Sequence, residues 1–108
     1  MPEEYRKMVF SSAELFRASA EFCQGTGKLL EQDDVVEVAL TADPQQPAIL
    51  HYTTGVQSQV TEIALTRDQL AAALIQYCRN RRIPVPRGGE KLLKVEDGKV
   101  VLLVHVDD

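Results

Sequence analysis

Two periods of apolar and polar residues alternate along the chain. In SSAELFRASAEFC, Ala13, Phe16, Ala20 and Cys23 recur at helical spacing, flanked by Leu15 and Phe22. This predicts a first helix with a broad apolar face. Ser11 stands three residues before Glu14, the spacing at which two side chains reciprocally satisfy the free amides of a helix start. Gly25 and Gly27 supply the stop, because glycine accepts the left-handed conformation at which helices commonly end. VVEVALT changes the period: Val36, Val38 and Leu40 alternate with more polar neighbours, as on a half-buried strand. Beyond the turn ADPQQP, AILHYTT reads as a second strand with Leu50 and Tyr52 on one face. After Gly55, VQSQVTEIAL predicts a third, more polar strand. Its alternation slips between Val60 and Ile63, the mark of a bulge or an early end.

The helical period then returns. Thr66 and Gln69 form a second capping pair, and Asp68 complements the positive end of the helix dipole. Leu70, Leu74, Tyr77 and Cys78 make one stripe, with Ile75 beside it. Pro84 and Pro86 forbid continuation and favour an extended path. KLLKV and VVLLVHV flank Asp97-Gly98, a type I′ signal between two β-rich runs. The predicted order is α-β-β-β-α-β-β, without the βαβ rhythm of a parallel sheet. The expectation is an α+β domain: an antiparallel sheet of about five strands with two helices packed on one face. Residues 1–108 form a single domain, and 1–10 are expected to be a flexible N-terminal segment. No internal repeat or low-complexity segment is evident.

Composition changes this picture little. Apolar residues make up 44% and charged residues 26%, which is ordinary for a globular domain and excludes a disordered chain. VVLLV is far too short to span a bilayer. Glu3 and Glu4 occupy the positions where a signal peptide carries positive charge. A cytoplasmic location without membrane attachment is the expectation. Cys23 and Cys78 fall on the two helices and are expected to be core thiols rather than a disulfide in a reducing compartment.

The candidate chemistry is sparse. Cys23, His51, Cys78 and His105 are separated by 28, 27 and 27 residues and supply no short chelating pair, so no metal or other cofactor is expected. Cys78 with a neighbouring histidine could form a nucleophile–base pair. Its place on the apolar stripe, where burial raises a thiol's pKa, opposes this. No catalytic residue is assigned, and a small enzyme using Cys78 or a histidine stands as an alternative. Asp33-Asp34 and Glu96-Asp97 sit at turns, where solvated charge is the simpler account. In RGGEK the glycine pair follows a helix and precedes a strand, the reverse of a phosphate-binding loop.

Charge carries the one anomaly. Residues 79–94 hold six basic residues and one acidic, a net +5, in a chain of net −4. The remainder, with six basic and fifteen acidic residues, is −9. Cations in a last helical turn stabilise its exposed carbonyls, so a helix ending explains part of the cluster. The functional reading is an anion-recognition face: Arg79 and Arg82 share a helical face, Arg87 follows the stiff PVP segment, and Lys91 lies beyond. An acidic protein surface or a phosphorylated ligand fits it. A nucleic-acid-binding role is the alternative use of the 79–94 patch. The acidic remainder and the lack of interleaved aromatics oppose that role. VVLLVHV is apolar on both faces, so the face that the helices leave uncovered is expected to meet another subunit in a homo-oligomer. Together these readings describe a non-catalytic binding module.

Overall fold

The computed structural model describes residues 4–55, 59–86 and 90–106. Its elements are β1 (Glu4–Phe10), α1 (Ser12–Gly25), β2 (Asp33–Leu40), β3 (Ala48–Thr54), β4 (Thr61–Leu65), α2 (Arg67–Asn80), β5 (Glu90–Glu96) and β6 (Lys99–Val106). Six strands form two antiparallel three-stranded sheets, ordered β1-β6-β5 and β2-β3-β4. The α+β class holds, but the expected single five-stranded sheet does not. The order is β-α-β-β-β-α-β-β. The N-terminal segment expected to be flexible contributes β1, which pairs with β6 from Glu4↔Val106 to Phe10↔Val100.

Both helices begin where local chemistry directs. Ser11 and Glu14 form a complete capping box on α1, and Thr66 and Gln69 form another on α2. In each the hydroxyl accepts from the third helical amide while the longer side chain accepts from the cap amide. Asp97 and Gly98 both take positive φ, 52° and 73°, completing the type I′ turn between β5 and β6. The slip expected between Val60 and Ile63 is instead a strand start at Thr61, with regular β3–β4 register. The irregularity lies in β2, between Val35 and Glu37.

The two helices mark a repeat that the sequence reading missed. Ser11, Glu14 and Cys23 recur 55 residues later as Thr66, Gln69 and Cys78, and α1 and α2 each span 14 residues. Strand registers carry the correspondence on. The inner row Val38–Leu50–Ile63 of one sheet matches Leu93–Leu102–Met8 of the other. The chain is two βαββ units, β1-α1-β2-β3 and β4-α2-β5-β6, that exchange first strands. β1 completes the hairpin of the second unit, and β4 completes that of the first.

One core joins the halves. Leu50, Leu65, Leu70, Leu74, Leu102, Cys23 and Cys78 are fully buried within a single cluster, and α1 packs directly on α2. The molecule is elongated, 57 × 28 × 19 Å, with a radius of gyration of 14.8 Å. A compact chain of this length would have about 13 Å. Phe10 closes the β1 end of the core at 3% exposure. Phe10→Ala is expected to destabilise by about 3–5 kcal/mol, as truncation of a buried aromatic does, measured by urea unfolding. A loss below about 1 kcal/mol would mean that β1 is not an integral strand.

Candidate functional site

The basic cluster begins on the last turn of α2. Arg79 is exposed there, Arg81 caps the helix, and Arg82, also exposed, follows one residue beyond the cap. Arg81 is fully engaged: its guanidinium donates to both carboxylate oxygens of Glu21 on α1, at 3.1 and 2.7 Å. It also lies 3.8 Å from the Tyr77 ring centroid. This bidentate bond is the main reason that the Glu21 carboxyl is held below its ordinary range, with partial burial opposing it. Arg81 is therefore a structural tie between the helices. By contrast, Arg79 and Arg82 make no ion pair or hydrogen bond through their side chains among the described residues.

Local backbone geometry sharpens the contrast. α2 ends in a Schellman motif: the Ile83 amide donates to the Cys78 carbonyl (2.8 Å), and the Arg82 amide donates to that of Arg79 (3.1 Å). α1 ends identically, with Lys28 to Cys23 at 2.8 Å and Gly27 to Gln24 at 3.3 Å. The motif places its penultimate residue at positive φ. In α1 that residue is Gly27 (79°), and in α2 it is Arg82 (57°). A side chain disfavours this conformation by roughly 1–2 kcal/mol, and glycine relieves it. The positions of Arg79, Asn80, Arg81 and Arg82 are held in α1 by Gln24, Gly25, Thr26 and Gly27, with Lys28 following, so this helix ending does not require arginines at those positions.

The other expected residues divide. Arg87 lies outside the described residues, as does the glycine pair of RGGEK. Lys91 is half-buried on β5, on the side that carries Leu93, opposite Val104. No hydrogen bond or ion pair joins it to α2 among the described residues. Arg82 lies past the end of α2 in a left-handed conformation, so the expected sharing of a helical face with Arg79 does not hold. The two are joined by a backbone bond, and Lys91 stands on a separate element.

The catalytic alternatives find little support in geometry. Cys23 and Cys78 are both fully buried. Burial pushes both thiols up; the Glu14 charge adds to the rise at Cys78, and Lys28 opposes it at Cys23. His51 lies on the outer face of β3, with Nε2 3.3 Å from Glu62 Oε1 and Nδ1 3.9 Å from Glu37 Oε2. The two carboxylates flank opposite edges of the ring, so no single point lies against all three groups. No metal-binding cluster occurs among the described residues. No helix among them is long and apolar enough to cross a membrane.

A cleft of about 440 Å³ lies between the β2–β3 turn, the start of α2 and β5. It is lined in part by Pro44, Pro47, Arg67, Leu93 and Lys94. Arg67 donates to the Leu93 carbonyl at 3.0 Å, closing the edge of β5. Its counterpart, between Ser12, Val38 and Lys99, is about 200 Å³. The longer β2–β3 turn accounts for the difference.

Comparison with protein-family models, with curated proteins and with solved structures found no match.

Two predictions follow from the titrating groups. The Asp33 carboxyl is held below its ordinary value, first by a hydrogen bond from the Thr54 hydroxyl and then by the Leu30 amide, 2.8 Å away. A folded value below the unfolded one adds stability above about pH 4, which is lost as pH falls through the folded value. Asp33→Asn should therefore flatten the decline of the urea midpoint below about pH 4. An unchanged slope would show that Asp33 does not carry it. For the thiols, both cysteines of the native protein should react with a thiol reagent only at the rate of unfolding. Fast modification of Cys78 under native conditions would restore the nucleophile reading.

Proposed function

We propose that the protein is a non-catalytic binding module that recognises an anionic partner with the C-terminal end of α2, through Arg79 and Arg82. The observation that carries this reading is the left-handed Arg82. The matched helix end in the first unit uses glycine at this point and carries no cation at the positions of Arg79, Arg81 and Arg82. An arginine accepted at a strained position, exposed and without a carboxylate partner, is best explained by contact with something outside the chain. Arg81 supports the arrangement from below, because its bonds to Glu21 and its stacking on Tyr77 fix the helix end from which its two neighbours project.

Guanidinium groups suit planar bidentate contact with carboxylate or phosphate. The net charge of −4 disfavours a long polyanion more than a compact acidic segment or phosphorylated ligand. The test is binding of fluorescently labelled probes at low and physiological salt. The probes are a glutamate-rich peptide, its phosphoserine counterpart and a single-stranded oligonucleotide. The wild type should bind a peptide probe more tightly than the oligonucleotide, and Arg79→Glu/Arg82→Glu should abolish binding. Arg82→Gly should weaken binding while stabilising the fold by up to about 1 kcal/mol, since relief of strain is offset in part by glycine entropy. If no probe binds at low salt, the anion reading fails. Preference for the oligonucleotide would replace it with nucleic-acid recognition.

A further inference from the structure

The helices cover one face of the β1-β6-β5 sheet, with Met8, Phe10, Val100, Leu102, Val104 and Leu93 turned toward the core. The opposite face carries three cross-strand rows: Val9–Val101–Lys94, Lys7–Leu103–Leu92 and Tyr5–His105–Glu90. Tyr5, Val9 and Leu92 are 67%, 51% and 45% exposed. The Tyr5 ring stacks on His105 at 4.4 Å between centroids. Lys7 reaches diagonally to Glu96 at 3.1 Å. That ion pair passes over the intervening central strand and accounts for the burial of Val101, which is 1% exposed on this face.

The second sheet is an internal control. At the positions matching Lys7–Leu103–Leu92 it carries Glu62–His51–Glu37. The same architecture thus stands with a polar outer row, and the leucines are not required to build the sheet. They leave an apolar face exposed, which is unfavourable unless something covers it.

We propose that the outer face of the β1-β6-β5 sheet is a homodimer interface, closed by a two-fold axis that crosses the strands at the level of Leu103. Self-complementarity identifies a second copy as the occupant. An axis at that level sets Leu92 and Leu103 against their own copies and Val9 against the partner's Tyr5. It sets Lys94 against the partner's Glu90. Neither Lys94 nor Glu90 has an ion-pair partner within the described residues of its own chain. Lys7 is drawn away from the axis by Glu96, so the central row meets without opposed lysines. A three-stranded face of this length is about 14 by 23 Å. That places the dimer among small interfaces, as a weak and reversible association. It does not involve Arg79 or Arg82, so its failure and that of the anion site are separable.

Sedimentation equilibrium of the full chain, from low micromolar to near-millimolar protein, tests this. The wild type should pass from monomer to dimer. Leu92→Glu should remain monomeric while keeping the far-UV circular dichroism and thermal unfolding of dilute wild type, because Leu92 lies outside the core. Lys94→Glu should weaken the dimer by about tenfold, since it opposes like charges at two symmetric points. The double variant Glu90→Lys/Lys94→Glu should restore it, and Arg79→Glu/Arg82→Glu should leave it unchanged. A wild type that stays monomeric throughout overturns the proposal. So does a dimer indifferent to Leu92→Glu, an open-ended assembly, or a double variant no better than Lys94→Glu alone.

Discussion

Neither half of this chain completes a sheet from its own strands, and the rest of the architecture follows from that. The β5–β6 hairpin needs β1, and the β2–β3 hairpin needs β4. An isolated two-stranded hairpin is marginal in water, whereas three strands with a covered apolar face are stable. β1 meets β6 across nearly the whole length of the chain, so its pairing carries a loop-closure cost that the core must offset. The helices supply that offset, because each follows its exchanged strand after a single capping residue. Packing α1 on α2 then brings both sheets to one core. The Arg81–Glu21 bond fixes the two helices at one end.

The duplication also separates what the fold requires from what it tolerates. Both units keep the capping box, the Schellman ending and an apolar inner row centred on Leu50 or Leu102. Both keep a fully buried cysteine on the helix, at Cys23 and Cys78. These features satisfy backbone groups or fill the core, so a change in either copy would leave amides unpaired or a void. Outside them the copies diverge freely. One helix ending has glycine and the other arginine at the left-handed position; the central outer row is Glu-His-Glu on one sheet and Lys-Leu-Leu on the other.

Legibility in the sequence tracked the locality of the signal. Both helices were readable close to their first residues, because a capping box is written within four positions. The β5–β6 turn was equally plain from Asp97-Gly98. β1 was not. In EYRKMVF, Arg6, Met8 and Phe10 fall on one face and Tyr5, Lys7 and Val9 on the other, so each face mixes polar and apolar residues and no period of two stands out. Its strand conformation is imposed by β6. Division into two sheets was hidden for the same reason, since sheet membership depends on partners distant in sequence. The repeat was hidden by divergence, although Leu15, Ala18 and Cys23 recur as Leu70, Ala73 and Cys78. Equal spacing of the two capping boxes and the two cysteines was the available signal. Within the basic cluster, the exposure of Arg79 followed from helix position, whereas the left-handed placement of Arg82 beyond the cap did not. The capture of Arg81 by a carboxylate 60 residues away is tertiary and had no local trace.

The two departures from internal symmetry share a physical character. A left-handed arginine stands where the matched position has glycine, and solvent-facing leucines stand where the matched positions have glutamate and histidine. Each is a choice that an isolated monomer would not favour. The first strains the backbone, and the second leaves an apolar face bare. Neither contributes to the core, and the other copy shows that the architecture stands without either. In the proposed reading, contact with a further molecule is the physical term that changes the sign of both. At Arg82 the proposed partner would offer negative charge, because the side chain has no internal counter-ion among the described residues. On the sheet it must offer an apolar centre with charges placed to meet Lys94 and Glu90, and the face itself has that pattern.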